Sequence, residues 1–484
     1  MGHDADADNV PLMEKSTVSD VIDDELSDET PSRWDFLIHT IPFFGLQLAY
    51  TVQQVFGIPY LSSLGVPDTQ LPIFVMSGPL AGFVVPPVIA VFSDTIRSPW
   101  GKRKPFIFLG GFGIILSFLF LASAQPLAET LAPHASVTVS HIIAGLSIYT
   151  LNFAIQPLQL GLRASVIDHF KPNQQVAANL WISRLQSLGS VFVALVGLGY
   201  SPAFWDLSIA VVCVLVPLLG IVAFTNNMKP GPQWSDHKSA EPAAHYEADV
   251  PDTAGVMVCM VLGSSLLKRS ALTSASESES SHAVAREALL FHIASLTTLV
   301  MVSLVWNPSN GKDRTKIQLD ANSDEKDESG TLYTKGLSHI RDVLMRWVWK
   351  PSLVALAVSL IATCLLASLS TPSPFPITAI TLLLGANGIF FALANWVPNA
   401  LIAHEATAQA WSREMIAAEE DTVDEEDDTP MLLAVHNMAI TVPQIMASIV
   451  SWLLLQGLAV LGLQQDIVWI FAICIPPALW AACL

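Results

Sequence analysis

The sequence predicts an all-α protein that crosses a membrane many times. Only 13% of its 484 residues are charged and 52% are hydrophobic, whereas soluble domains carry roughly 25% charged residues. Apolar runs recur along the chain, and basic residues gather in short segments between them, as they do in cytoplasmic loops. Since a span needs about 20 apolar residues, we expect about 11–12 transmembrane helices arranged as a bundle.

Six apolar runs form the first half of the chain, at residues 36–60, 70–92, 105–125, 141–168, 181–200 and 205–225. The loops after the first, third and fifth runs contain no Lys or Arg, and those after the second, fourth and sixth contain basic residues. Six crossings with both ends in the cytoplasm therefore satisfy the positive-inside bias. We predict an N-terminal half at 36–225, preceded by a disordered acidic cytoplasmic tail at 1–35.

The densest basic cluster follows the second run and fixes the orientation, so we expect residues 97–104 in the cytoplasm and 61–69 outside. Its predicted gate residues are Asp94, Arg97, Gly101 and Arg103. Asp94 ends the second helix, where a basic neighbour offsets its charge, and glycine permits the tight turn. The alternative is that the cluster sets topology alone.

The second half of the chain is less regular. Residues 226–287 form a polar central loop, in which only the short segment 256–267 is apolar. An incomplete C-terminal half at 288–484 follows, with an acidic loop at 404–430. Its apolar runs lie at 288–306, 351–370, 376–403, 431–456 and 467–484. Basic residues place the loop after the first of these runs in the cytoplasm, so the run 288–306 must begin outside. Because the first half ends in the cytoplasm at residue 225, the chain must cross the membrane once more before residue 288. One helix is therefore predicted to be missing.

Several other protein classes lack support in the sequence. The net charge of −19 comes from acids in the tail and in one loop, which does not suit nucleic-acid binding. The five cysteines lack metal-ligand spacing, and the chain has no Walker-type phosphate loop. No nucleophile–base pair stands out. We therefore expect neither an enzyme nor a cofactor.

Motifs spread along the chain resemble one family, the sucrose and α-glucoside proton symporters of the glycoside–pentoside–hexuronide group in the major facilitator superfamily. The segments that carry the resemblance are LAYTVQQ (48–54), SGPLAG (77–82), GKRKPFI (101–107), GLRASVID (161–168), NGI (387–389), WVP (396–398) and HNMAITVPQ (436–444). The sequences of these segments most resemble those of the fungal branch of the family. They occur in family order over most of the chain.

This resemblance implies two six-helix halves around a central cavity, with substrate bound near the midplane. It implies proton-coupled uptake of an α-glucoside such as sucrose or maltose. The chain departs from the family in three ways: the seventh helix is not recognisable, Gln53 replaces an acid of the fungal branch, and Asp68 replaces a His of plant carriers. The alternative is a non-transporting sugar sensor or an inactive paralogue lacking one helix.

Arg163 is the first candidate for substrate binding. A guanidinium inside a membrane helix is costly unless it faces a watery cavity or an acid, and its five donors suit sugar hydroxyls. The resemblance also implies a substrate-binding role. The alternative is that Arg163 snorkels to the cytoplasmic interface.

Four further candidates for sugar binding are Gln53, Asn395, Trp396 and Asn437. Amides can hydrogen-bond a sugar, and Trp396 could stack on a pyranose ring. The same side chains also join helices or fill the core.

Two acids are candidates for proton coupling, Asp168 within the first half and Asp68 at the external mouth. Asp168 lies about 140° around the helix from Arg163, so it could equally pair with Lys171 or Arg184. The expected partners of the chain are an α-glucoside, protons and membrane lipid, without nucleic acid. We expect a monomer in the plasma membrane rather than the vacuolar membrane.

Overall fold

A computed structural model describes most of the predicted bundle. The described residues are 31–66, 71–95, 98, 100–200, 204–225, 277–305, 344–368, 375–420, 429–460, 472 and 475–476. Within these ranges every regular element is helical. Of the described helical stretches, 8 are long and apolar enough to span a membrane: Ile73–Phe92, Lys104–Ala122, Pro133–His169, Gln174–Leu198, Phe204–Ala223, Ala285–Val302, Trp347–Leu366 and Thr378–His404. The predicted all-α, polytopic membrane fold is confirmed.

The first half runs through nine described helices. They are α1 (Arg33–Thr40), α2 (Pro42–Ser63), α3 (Leu71–Val75), α4 (Ser77–Thr95), α5 (Lys104–Ala122), α6 (Ala124–Leu131), α7 (Ser136–His169), α8 (Pro172–Tyr200) and α9 (Phe204–Thr225), with a 3₁₀ turn at Pro133–Ala135. The second half contains α10 (Glu277–Val305), a π-helical turn at Leu344–Trp349, α11 (Lys350–Ser368), α12 (Phe375–Ala386), α13 (Gly388–Glu420) and α14 (Thr429–Val460).

Local sequence explains where the first span begins and divides. The Ser32 side chain accepts from the backbone N–H of Asp35 at 3.3 Å, and the Asp35 carboxylate accepts from the Ser32 N–H at 2.9 Å. This reciprocal pair is a capping box, and it starts α1. Pro42 then opens α2 after Ile41, because proline lacks the N–H that a continuous helix would use. The predicted span 36–60 is therefore two consecutive helices.

Three predicted boundaries are wrong in the described residues. Helix α10 begins at Glu277, so residues 277–287 of the predicted central loop are helical. Helix α13 extends to Glu420, so residues 404–420 of the predicted acidic loop are also helical. Helix α1 begins at Arg33, within the predicted tail. Glu, Ala and Arg favour helices, so a helix can continue through a polar segment. The apolar pattern identifies only the membrane-spanning part of such a helix. The segment 256–267 lies outside the described residues.

Two apolar cores correspond to the two halves. One is built mainly from α2, α5, α7, α8 and α9, and the other from α10 to α13 together with Val176 and Leu180 of α8. The halves meet where α8 packs on α10 and α13, and where α4 packs on α14. At the second contact Gly82 lies against Thr441, and a Cβ at Gly82 would collide with that side chain. Small residues let membrane helices approach this closely.

Candidate functional site

A line of polar side chains runs along α7 through the first half. Asn152, Gln156, Gln159 and Arg163 follow one another at intervals of four, three and four residues, so they share one face of the helix. Three of these four are at most 8% exposed, and Gln159 is half-buried. We call these four residues the α7 polar stripe. Polar groups buried at membrane depth are expensive and mark functional interiors.

Arg163 is buried close to side chains of α2 and α14. Its guanidinium carbon lies 5.9 Å from the centroid of the Phe43 ring. It is within electrostatic range of Tyr50 on α2 and His436 on α14. Helical side chains lean toward the helix N-terminus, which carries Arg163 away from the basic-loop end of α7. Among the described residues it has no hydrogen bond or ion pair, so its donors remain available to a ligand.

Tyr50 and His436 complete this set from two other helices. The Tyr50 hydroxyl donates to Oε1 of Gln159 at 2.7 Å, which ties α2 to the α7 polar stripe. His436 is 4% exposed, and neither ring nitrogen has a hydrogen-bond partner among the described residues. A buried imidazole offers one donor and one acceptor in its neutral form. Groups from both halves therefore converge with unused hydrogen-bonding capacity.

A small crevice lies between α4, α5, α7 and α14. Its wall includes Ile89, Arg103, Leu160, Gly161 and Leu433. The wall thus includes Arg103 next to the basic loop but not Arg163, and both halves contribute to it.

A second polar contact crosses between the halves through α8. Nδ2 of Asn395 donates to Oε1 of Gln186 at 3.0 Å. The hydroxyls of Ser187 and Ser295 lie 2.9 Å apart. Asn395, a predicted sugar ligand, therefore lies at the interface of the halves, where its amide already joins α13 to α8.

The other predicted sugar ligands fall in different surroundings. Gln53 is half-buried one turn beyond Tyr50, and its Oε1 has no hydrogen-bond partner among the described residues. Asn437 is half-buried beside His436. Trp396 is fully buried in the apolar core of the second half. That position fits the packing alternative for Trp396, because no ring face is exposed to a sugar.

Asp168 belongs to an ion pair at the basic-loop end of the bundle. Nε of Arg103 donates to its Oδ2 at 2.9 Å, and Nη2 donates to its Oδ1 at 3.3 Å. The fork-like contact joins the loop before α5 to the last turn of α7. Gly101 supplies the turn with a φ of 87°, and its N–H donates to the Ser98 carbonyl at 3.0 Å. The predicted gate residue Arg103 and the predicted proton carrier Asp168 are therefore direct partners.

Several predicted residues cannot be placed in this geometry. Asp68 and Arg97 lie outside the described residues, and for Asp94 only the helical backbone is described. The sequence analysis did not identify Tyr50 or the other three residues of the α7 polar stripe as site residues. The regular spacing of Asn152, Gln156 and Gln159 before Arg163 could have indicated them.

Part of the chain is similar to characterised sugar carriers, although no family model matches it. Over 202 residues it is 30% identical to the general alpha-glucoside permease of Schizosaccharomyces pombe, covering 38% of this chain and 35% of that protein. Over 155 residues it is 29% identical to a sucrose transport protein of Oryza sativa, covering 30% and 26%. The matches thus span about a quarter to a third of these curated relatives.

Solved transporter structures share the fold over almost the whole chain. A D-xylose-proton symporter superposes with a TM-score of 0.55 at 9% identity, covering 93% of this chain and 97% of that one. A bacterial homologue of the iron transporter ferroportin in its outward-facing state gives 0.52 at 12% identity, covering 92% and 98%. The chain is a multi-pass membrane protein that shares the helical fold of these transporters. The relatives named above are transporters rather than enzymes.

Proposed function

We propose that this protein is a secondary transporter that takes up α-glucosides such as sucrose or maltose together with protons. The observation that carries the proposal is the buried Arg163, which has no hydrogen bond or ion pair among the described residues and has Tyr50 and His436 within electrostatic range. A charge kept in such a place is costly unless a ligand or water uses it. The similarity to an alpha-glucoside permease and a sucrose transport protein supports sugar as that ligand.

The chemistry of the site suits a polyhydroxylated substrate. Arginine presents five donors in a rigid fork, and the stripe amides offer donors and acceptors one helical turn away. Gln53 and Asn437 lie next to this set on α2 and α14, so either half could hold part of a disaccharide. Substrate bound between the halves is what alternating access requires.

The contacts between the halves suit a reversible rocking motion. They include the Asn395–Gln186 amide pair and the Ser187–Ser295 hydroxyl pair. Interhelical hydrogen bonds in membranes are worth about 0.6 kcal/mol on average, so each can break and re-form during a cycle. The Arg103–Asp168 pair joins the start of α5 to the end of α7 within the first half, and we propose that it takes part in a gate at the basic-loop end.

Coupling to protons and location in the plasma membrane also remain proposals. Asp168 could contribute to coupling if gate opening separates it from Arg103 and lets it bind a proton, and Asp68 is the candidate at the opposite mouth. The competing candidate is a sugar sensor or an inactive paralogue. It is favoured by Gln53, an amide that does not titrate, and by the seventh helix that the charge pattern lacks.

Uptake of labelled sucrose and maltose into cells without their own sugar carriers tests the proposal. We expect accumulation that stops when a protonophore collapses the proton gradient. Arg163→Met should abolish it, whereas Arg33→Met, at an exposed position of α1, should transport normally. Sugar binding to purified protein without uptake would identify the sensor instead. Neither binding nor uptake of any α-glucoside would refute the proposed substrate class.

A further inference from the structure

A buried carboxylic acid in α10 has no role in the site described so far. Glu287 is 8% exposed, and its Oε2 has no hydrogen-bond partner among the described residues. It lies within the candidate span Ala285–Val302. An ionised carboxylate buried without a partner is strongly disfavoured, whereas the neutral acid is far less so.

Glu287 lies on the side of α10 that faces α12 and α13 of the second half, because Leu290 and Phe291, three and four residues further on, approach Gly385 and Gly388. The contacts of α10 with α8 are made by other residues. Ala285 approaches Gly197 near the end of α8 that is remote from the basic loop, and Ser295 meets Ser187 further along. The two helices are therefore antiparallel, and Glu287 is about 12 Å from Ser295 along α10. Glu287 is therefore inside the second half, toward the side predicted to be external.

Within the described ranges, the neighbouring helices supply no partner for this acid. Helix α10 packs on α2, α8, α12 and α13. On α2, Tyr50 bonds Gln159 and Tyr60 bonds the Leu121 carbonyl. On α8, Arg184 precedes the Ser187 contact and lies over Trp181.

The described parts of α12, α13 and α10 itself also supply no partner for Glu287. Helix α12 has no titratable residue, and His404 of α13 lies beyond Asn395, toward the opposite end. On α10, Arg286 is exposed, and His292 is about 140° around the helix from Glu287. His292 packs edge-on against Phe291 and Phe391.

We propose that Glu287, in place of the candidates Asp168 and Asp68, is the proton-binding group that couples transport in this protein. The inference rests on the proposed function and names the coupling site. In the packed state described here the carboxyl is held away from water as the neutral acid. Movement of α10 against α12 and α13 during the transport cycle opens this packing to water, where the acid releases its proton. One proton enters from the external water and leaves to the cytoplasm, and no other reactant is needed.

Infrared spectroscopy of the purified full chain in liposomes tests the protonation directly. At neutral pH we expect a carboxylic-acid C=O band that is lost in Glu287→Gln. Glu129→Gln is the matched control, because Glu129 is exposed and accepts from Gln125 at 3.0 Å, so its removal should leave the band unchanged. A band that survives in Glu287→Gln would overturn the inference. This readout does not depend on whether the protein transports sugar.

Transport by the same variants tests coupling. We expect Glu287→Gln to lose accumulation against a gradient but to keep sugar exchange at the wild-type rate, since exchange needs no net proton movement. Glu129→Gln should retain both activities. Full accumulation by a correctly folded Glu287→Gln would overturn the inference while leaving the proposed function intact, and loss of both activities would also count against it. A wild-type chain without transport would instead refute the proposed function. Retention of a wild-type melting temperature by Glu287→Gln excludes misfolding.

Discussion

Replacing Arg163 by lysine separates a substrate ligand from an interfacial anchor. Both side chains are cationic and long enough to snorkel, so an anchor would tolerate the change. Only arginine has the planar fork that can hold two sugar oxygens at once. In the structure the guanidinium lies over Phe43 and within electrostatic range of Tyr50 and His436, away from the basic-loop end of α7.

The expected size of the effect follows from the contacts that lysine cannot make. A hydrogen bond to a charged group contributes about 1.5–3 kcal/mol. Lysine retains the charge but loses one bond of the fork. With about 1.4 kcal/mol for each tenfold change, kcat/KM for sucrose uptake should fall about 10- to 100-fold.

The assay is the initial rate of labelled sucrose uptake over a range of concentrations, normalised to surface protein. Arg33→Lys makes the same chemical change at an exposed site and should leave kcat/KM unchanged. An Arg163→Lys variant with wild-type kinetics would refute the ligand role and support snorkelling.

Three further substitutions test the surroundings of the site. Tyr50→Phe removes the 2.7 Å bond to the stripe, so unfolding should become easier by about 1 kcal/mol in a thermal melt, and an unchanged melt would contradict this contact. Gly82→Val should force α4 from α14 and cost about 1–3 kcal/mol, while Gly220→Val, whose Cβ meets nothing within 4 Å, should be mild; equal uptake by both variants would argue against close packing at the first site. Arg103→Asp should impair uptake, and adding Asp168→Arg should restore part of it if the ion pair itself matters.

The sequence was sufficient to predict the fold because lipid imposes a simple rule on composition. Apolar runs and basic loops predicted the spans and their order. The boundaries failed where helices extend beyond lipid, as at Glu277 and Glu420, since hydropathy says nothing about a polar helical extension. The break before Pro42 was also missed, although proline at the first turn is a recognised start signal.

The candidate site was predicted only in part, because its contacts join distant positions. Arg163 stood out as a charge within an apolar run. Its polar neighbours on α7 were readable from spacing, but Asn395 and Gln186 are 209 positions apart and no local pattern pairs them. The sequence predicted Asp168 as a proton carrier or as a partner of Lys171 or Arg184, whereas its partner Arg103 lies 65 positions away.

Glu287 was not predicted as a site residue, because local sequence does not show that it is buried. It immediately precedes the apolar run that begins at residue 288, so composition assigned it to a loop. Only the packing of α10 in the folded bundle shows that the carboxyl is buried.

Accumulation of labelled sugar in liposomes that contain only the purified full chain tests proton-coupled transport most directly. An imposed pH gradient, acidic outside, should concentrate sucrose or maltose inside above the external level, and a protonophore should release it. Sugar that equilibrates without ever exceeding the external concentration would contradict coupling. Failure of any α-glucoside to enter under either condition would contradict transport itself.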